Sequence, residues 1–191
     1  MVYQLAMVAT TVRVLDEGEW QEYRAIRLAA LQEAPDAFAS TFAEESQLDE
    51  STWRAAMVRA HRLLALRGPT AVGVVSVGPV ADEEEASDVF GLWVAPEVRN
   101  TGVAWQLVEA AAQQAVRDGS TRLYYWVSTE NGRAVAFATN FGFRVTSQRR
   151  TARVSHSEFG DQEVAFVLSL ASDSGVPNPT GPRIQAQPGP R

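Results

Sequence analysis

"LWVAPEVRNTGVAWQLVEAA" (residues 92–111) runs from an apolar, strand-like stretch into an amphipathic helix, with one glycine, Gly102, at the join. A helix start leaves four backbone N–H groups without intrahelical acceptors, and the aligned peptide dipoles add partial positive charge there. The run Arg99-Asn100-Thr101-Gly102-Val103-Ala104 therefore reads in one of two ways. It is plain punctuation between strand and helix, or it is a seat for a phosphate. Downstream, Ala104, Leu107, Val108, Ala111 and Ala115 share one helical face, and Asp118-Gly119 is a C-terminal stop signal. Upstream, Val89 to Val94 reads as a strand ended by Pro96.

Outward from this join the chain alternates strand and helix patterns. Thr11 to Leu15 reads as a first strand, and a helix opens at Glu19 and runs to about Ala34, with Trp20, Tyr23, Ile26, Ala30 and Leu31 as its buried stripe. Pro35 stops that helix, and DAFASTFAEESQ (residues 36–47) reads as an irregular link before a second helix over Glu50 to Ala60. Arg62 to Arg67 and Ala71 to Val77 read as antiparallel strands around Gly68-Pro69, and ADEEEASD (residues 81–88) as a solvated acidic loop. Arg122 to Ser128 is strongly β-prone, a short helix covers about Arg133 to Asn140, and Gly142 ends it. Two last strands follow, near Phe143 to Arg149 and Glu163 to Leu170.

Composition sets the limits. The chain has 191 residues, 46% hydrophobic and 21% charged, which suits one α/β domain with a sizeable core. Residues 1–10 are expected to be a short tail, 11–171 the domain, and the Pro- and Gly-rich stretch 172–191 a disordered tail with too little apolar content to offset its ordering entropy. No apolar run approaches the roughly 20 residues a bilayer span needs, and MVYQLAMVAT lacks a basic leader region. A cytoplasmic location without membrane contact is the expectation. With no Cys, disulfides, thiolate metal sites and Cys nucleophiles are excluded. Acidic residues outnumber basic ones 23 to 17, which disfavours nucleic-acid binding by field alone. All the basic residues are Arg, which rules out a lysine base or Schiff-base chemistry.

Three segments together carry a family resemblance. The stretch VAPEVRNTGVA contains Val-x-Pro-x-x-Arg followed by Arg-x-x-Gly-x-Ala, placed between a strand and a helix. ENGRAVAFATNFGF offers Asn131-x-x-Ala134 and then Gly142-Phe143, and YRAIRLAALQEAPDAFAST reads as a first helix and a loop. In this combination the sequence resembles the GNAT superfamily of N-acetyltransferases over about residues 11 to 170. The resemblance implies a mixed, mostly antiparallel sheet of about six to seven strands flanked by about four helices. It implies acetyl-CoA as cosubstrate, its pyrophosphate on the amides of Arg99, Asn100, Thr101, Gly102, Val103 and Ala104. It further implies that the strand around Trp93 and Val94 splays from its neighbour, freeing main-chain contacts to the pantetheine arm from Trp93 and Val94, with the Val94 region polarising the thioester carbonyl, and cofactor contacts from Asn131, Ala134 and Phe137. An N-cap role for Asn131 is compatible with this. Members are often dimers, so a homodimer stands as an open expectation.

The sequence also departs from the family. The tyrosine that many members use to protonate the departing thiolate falls at Ala138, so the acid is missing from its usual place. Tyr125 or Tyr124, or Ser128 at the strand end, are the substitutes, and restoring the tyrosine by Ala138→Tyr is expected to raise turnover. Thr101 replaces a frequent Lys or Arg and Asn100 a frequent Gly, while Trp105 either stacks on a neighbour or caps the core. Base candidates are Glu33, Asp36, Asp88 and Glu130, none singled out by spacing. His61 and His156 lack a carboxylate pattern, and the adjacent Glu83, Glu84 and Glu85 cannot converge on a metal. The expected activity is acetyl transfer to a primary amine, with substrate entering between residues 35–41 and 124–131. Its rivals are a CoA-binding regulatory module without catalysis and a nucleotide-binding domain on another fold.

Overall fold

The computed structural model describes residues 9–151 and 162–170; the expected tail 172–191, most of the segment 1–10, and His156 lie outside the described residues. The strands are β1 (Thr10–Val14), β2 (His61–Arg67), β3 (Thr70–Pro79), β4 (Ala86–Val94), β5 (Arg122–Ser128), β6 (Arg144–Thr151) and β7 (Gln162–Ser169). They form one sheet in the order β1-β2-β3-β4-β5-β7-β6. Only the β4–β5 pair is parallel, because β4 reaches β5 through a helical crossover. The helices are α1 (Trp20–Glu33), α2 (Phe42–Ser46), α3 (Glu50–Arg59), α4 (Val103–Arg117) and α5 (Gly132–Phe141).

Helices cover both faces of the sheet. On one, α4 buries Val103, Leu107, Val108, Ala111, Ala112 and Ala115 against the strands, and α5 adds Ala138 and Phe141. Ala104, expected inside that stripe, is half-buried. A fully buried Leu such as Leu107 contributes about 1.5–3 kcal/mol of transfer free energy. Gly73 lets α4 come close: a Cβ there would lie 3.0 Å from Leu107 and 3.3 Å from Val103. This contact sets the height of the first turn of α4, where the decisive stretch begins its helix. On the other face, α1 and α3 bring Tyr23, Ile26, Trp53 and Met57 onto Leu64 and Val74.

Two expectations need correction. The link 36–47 is not wholly irregular, since it holds α2, a fifth helix among the described residues. Its short length hides any apolar period, and a capping box nucleates it: Glu44 N donates to Thr41 Oγ1 (3.2 Å), and Thr41 N donates to the Glu44 carboxylate (2.8 Å). The acidic loop is also shorter than expected. Ala86 and Ser87 are buried strand residues opposite Arg122 and Leu123, and Ser87 Oγ bonds Ser120 Oγ at 2.8 Å.

Candidate active site

The site grows from how β4 ends. Opposite β3, Val74 pairs with Trp93 and Ser76 with Phe90, so two steps on β3 meet three on β4. The extra residue is a β-bulge, made possible by Gly91 at φ +64°, and it bends β4. Pairing with β5 runs only from Ala86–Arg122 to Val89–Tyr125, while β5 stays paired with β7 through Ser128. Beyond Tyr125 the two strands therefore part, as the family resemblance implies. Ala95 N donates to Val72 O, so ladder alternation turns the main chain of Val94 away from β3, toward the gap.

The loop that follows presents bare amides. Arg99 N donates to Pro96 O, and the next amide with a backbone acceptor is that of Gln106, on Gly102 O at 3.1 Å. Among the described residues, the six N–H groups of residues 100–105 have no protein acceptor. Positive φ at Asn100 (+62°) and Gly102 (+89°) curls this run, and a Cβ on Gly102 would meet nothing within 4 Å. A concave run of amides at the start of a 15-residue helix, with open space over its glycine, suits an anion.

Side chains around the loop are latched. Arg99 Nε donates to Val94 O (3.0 Å), and its Nη2 pairs with the Glu33 carboxylate (2.5 Å), which also accepts from Trp93 Nε1 (2.9 Å). The Trp93 bond, then Arg99, holds the Glu33 carboxyl below its ordinary range. Glu33 thus ties the end of α1 to β4 and the loop, and is not poised as a base. Glu33→Ala is expected to weaken acetyl-CoA binding about three- to tenfold in a calorimetric titration, the scale of one partly exposed charge-assisted network. A tighter constant would show instead that Glu33 competes with phosphate for Arg99. Thr101, the family's frequent cation position, accepts from Arg67 Nη2 at 2.9 Å and donates to Val98 O at 2.6 Å. A guanidinium from β2 therefore stands beside the loop after all.

The gap opens into a cleft of about 1360 Å³. Its lining includes Tyr125 and Val127, which pack with the α4–α5 core, and Tyr23, Trp53 and Val74, which pack with the α1–α3 core. The cleft therefore passes through the sheet where the strands part. It brings together the loop 36–40 and the residues Tyr125 to Ser128, with Asp36, Asp88, Glu130 and Asn131 on its walls. The Asn131 side chain caps α5, accepting from Ala134 N at 3.0 Å, which leaves its amide N–H₂ to offer a ligand. Ala134 and Phe137 are half-buried on α5, and Trp105 of α4 stacks on Phe141 at 4.5 Å.

The acid candidates separate. Tyr124 is buried on the opposite face with Ala86 and Ala165 and does not line the cleft. Tyr125 is the last β5 residue paired with β4, at the vertex of the gap, its ring 6.0 Å from Phe143. Desolvation, then the charge of Glu163, pushes its phenol up to about 12. Ser128 lines the cleft, but its Oγ accepts from Glu130 N at 3.3 Å. Ala138 has no exposure at all, so a tyrosine there overpacks the core, and the expected rescue by Ala138→Tyr is withdrawn. His61 lies away from the cleft, 3.3 Å from Asp118.

Comparison with known proteins gives a consistent picture. Residues 20–143 match the model of the Acetyltransferase (GNAT) family. No curated protein matches the sequence significantly. Among solved structures, an acetyltransferase of the GNAT family from Streptococcus pneumoniae has a TM-score of 0.69 at 17% identity, over 84% of this chain and 99% of that one. The yncA protein of Salmonella typhimurium, solved with its cofactor acetyl-CoA, has a TM-score of 0.67 at 17% identity, over 88% and 98%. The ribosomal-protein-S18-alanine N-acetyltransferase of Escherichia coli has a TM-score of 0.63 at 15% identity, over 87% and 97%. Strand order, the parting of β4 from β5 and the family match over residues 20–143 agree: this chain belongs to the GNAT acetyltransferase family.

Proposed function

We propose that this protein transfers the acetyl group of acetyl-CoA to a primary amine, of a small molecule or a protein N-terminus, by direct attack of the amine nitrogen. The observation that carries this reading is the run of six amides without acceptors at the end of a strand that parts from its neighbour. The acetyl-CoA in the yncA structure and the activity named for the E. coli relative support it. The domain, expected over residues 11–171, begins one residue earlier, at Thr10 of β1, and acts in the cytoplasm.

The chain's own residues fit the cosubstrate. The amides of residues 100–104 hold the pyrophosphate, with Arg67 adding charge, while that of Arg99, expected among them, is taken by Pro96 O; Val94 offers its main chain to the pantetheine arm, whereas that of Trp93, also expected there, alternates back toward β3. Asn131, Ala134 and Phe137 flank it from α5. Bound acetyl-CoA supplies an activated thioester. The Val94 N–H polarises its carbonyl where negative charge builds, a placement commonly worth about 10²–10³ in rate. The C–N bond forms as the C–S bond breaks, the amine loses a proton through cleft water, and Tyr125 donates a hydrogen bond to the departing sulfur, which takes its proton from water. The products are an amide and free CoA thiol.

A second reading has one observation in its favour: the family's acid position is a buried alanine, as a CoA-binding module without catalysis allows. Calorimetric titration with acetyl-CoA and with CoA, followed by thiol release over an amine panel, separates them. Micromolar binding with thiol release is the expected result. Binding without release from any amine favours the module, and a folded protein that binds neither ligand overturns both.

A further inference from the structure

Arg62, on β2, is 6% exposed and lies in the wall of the cleft. Its guanidinium is stacked between Tyr23 (4.6 Å) and Phe90 (5.5 Å), donating from Nη1 to Ser76 Oγ at 2.6 Å and from Nη2 to Ala56 O at 2.8 Å. Both protein acceptors are neutral. Its Nε–H is buried with no acceptor, and it takes part in none of the ion pairs found among the described residues. The nearby cations do not relieve it. The charge of Glu45 reaches Arg62, but that carboxylate is paired with Arg27 at 2.6 Å, and Arg27 and Arg59 add like charges. Asp36 and Asp88, also on the wall, have interactions of their own.

A buried cation outside any ion pair costs several kcal/mol, and arginine cannot escape by losing its proton. The aromatic faces offset part of that cost, at about 0.5–2 kcal/mol each. A leucine or methionine would fill the space without it. What only arginine supplies is a fixed positive charge in the wall of the cleft. Phe90 places it beside the segment of β4 where the strands part, on the side of the sheet that α1 and α3 cover.

We infer that the acceptor amine carries a carboxylate, and that Arg62 is the specificity-determining residue that reads it. The inference rests on the acetyl-transfer reading and narrows its substrate class. The acceptor enters with its carboxylate facing the Arg62 guanidinium and its amine at the gap. The reaction itself is unchanged: the amine nitrogen gains the acetyl group and loses a proton, and the sulfur leaves as thiol. A protein acceptor would meet the same site through an acidic side chain near its N-terminus. The acidic net charge of the chain would favour cationic amines at long range, so a preference for carboxylate-bearing amines is a sharp departure from that simple expectation.

The test is thiol release with the twenty common L-amino acids and their C-terminal amides, acids against amides. For at least one pair, kcat/KM for the acid is expected to exceed that for the amide about tenfold or more, the worth of one charge-assisted bond. In Arg62→Met that ratio falls to near unity, and Arg62→Lys restores part of it. Amides used as well as or better than acids overturn the inference while leaving acetyl transfer standing. Failure of acetyl-CoA binding overturns the underlying reading and the inference with it. Should no small amine be acetylated, thermal unfolding decides. An arginine kept for a ligand predicts that Arg62→Met melts within about 2 °C of the parent or higher, whereas a loss beyond about 8 °C marks Arg62 as structural and overturns the inference.

Discussion

Gly102→Glu is expected to weaken acetyl-CoA binding at least about 100-fold while leaving a folded protein, as read by calorimetric titration and thermal unfolding. The argument has a backbone part and a charge part. At φ +89° a side chain costs about 1–2 kcal/mol, but a Cβ there touches nothing within 4 Å, so no packing is lost. The melting temperature should fall by a few degrees, at about 2–4 °C per kcal/mol for a chain of this size. The new carboxylate sits at the start of α4, where the dipole favours it by about 0.3–1 kcal/mol, so part of the strain is returned. The same favourable seat is the problem for the ligand. The carboxylate satisfies amides that the pyrophosphate needs, and repels it by about 4 kcal/mol at 4 Å for an effective dielectric constant near 20. Two-thirds of that repulsion already gives 100-fold. Gly102→Ala isolates the backbone part and should cost less than about tenfold. A dissociation constant within threefold of the parent for Gly102→Glu, in a folded protein, would remove the loop from the cosubstrate site.

That loop was legible because its signals are local. Pro96, Gly102 and the apolar period from Leu107 to Ala115 need no tertiary knowledge, and Arg122 to Ser128 was bounded as observed because its residues are uniformly β-prone. What sequence could not show depends on distant partners. The parting of β4 from β5 was expected only by family resemblance, since its cause, the bulge at Gly91, looks in sequence like any glycine in a strand. The first residues of β4 hid behind an acidic run because a parallel neighbour some 35 residues away makes them strand. Glu33 read as a candidate base because nothing near it in sequence announces Trp93 and Arg99. Arg62 read as an ordinary strand residue, and its burial comes from Tyr23, Ser76 and Phe90 on three other elements. Ala138 shows the converse: the resemblance puts the family's tyrosine at this position, but only packing reveals that no space remains for a phenol there.

Tyr125→Phe should lower kcat about 100-fold at neutral pH with the KM for acetyl-CoA changed little, because the hydroxyl acts on the leaving sulfur and not on binding. The magnitude follows from the phenol's environment. With its pKa pushed up to about 12, Tyr125 holds its proton at any working pH, so it is always available as a donor. Full transfer to a thiolate whose conjugate acid ionises near 8.5 would be uphill by some 3–4 units, or about 5 kcal/mol. On the proposed mechanism Tyr125 therefore works chiefly as a hydrogen-bond donor to charge building on sulfur, with the proton arriving finally from water. That places its contribution with single oxyanion donors, about 10²–10³, and below the upper end of general acid catalysis. The same shift governs stability. An unfolded tyrosine ionises near 10 and the folded one near 12, so stability is fully present below pH 10 and lost as pH rises to 12, by about 2–3 kcal/mol. Tyr125→Phe should lack that alkaline loss, and its kcat profile should show no missing ionisation below pH 10. A kcat within threefold of the parent would move the donor elsewhere. Ser128→Ala would then be the next variant, although the Ser128 hydroxyl already accepts a bond from Glu130 N. A fall in kcat without the change in alkaline stability would mean that the phenol is in the reaction but not buried as the structure has it.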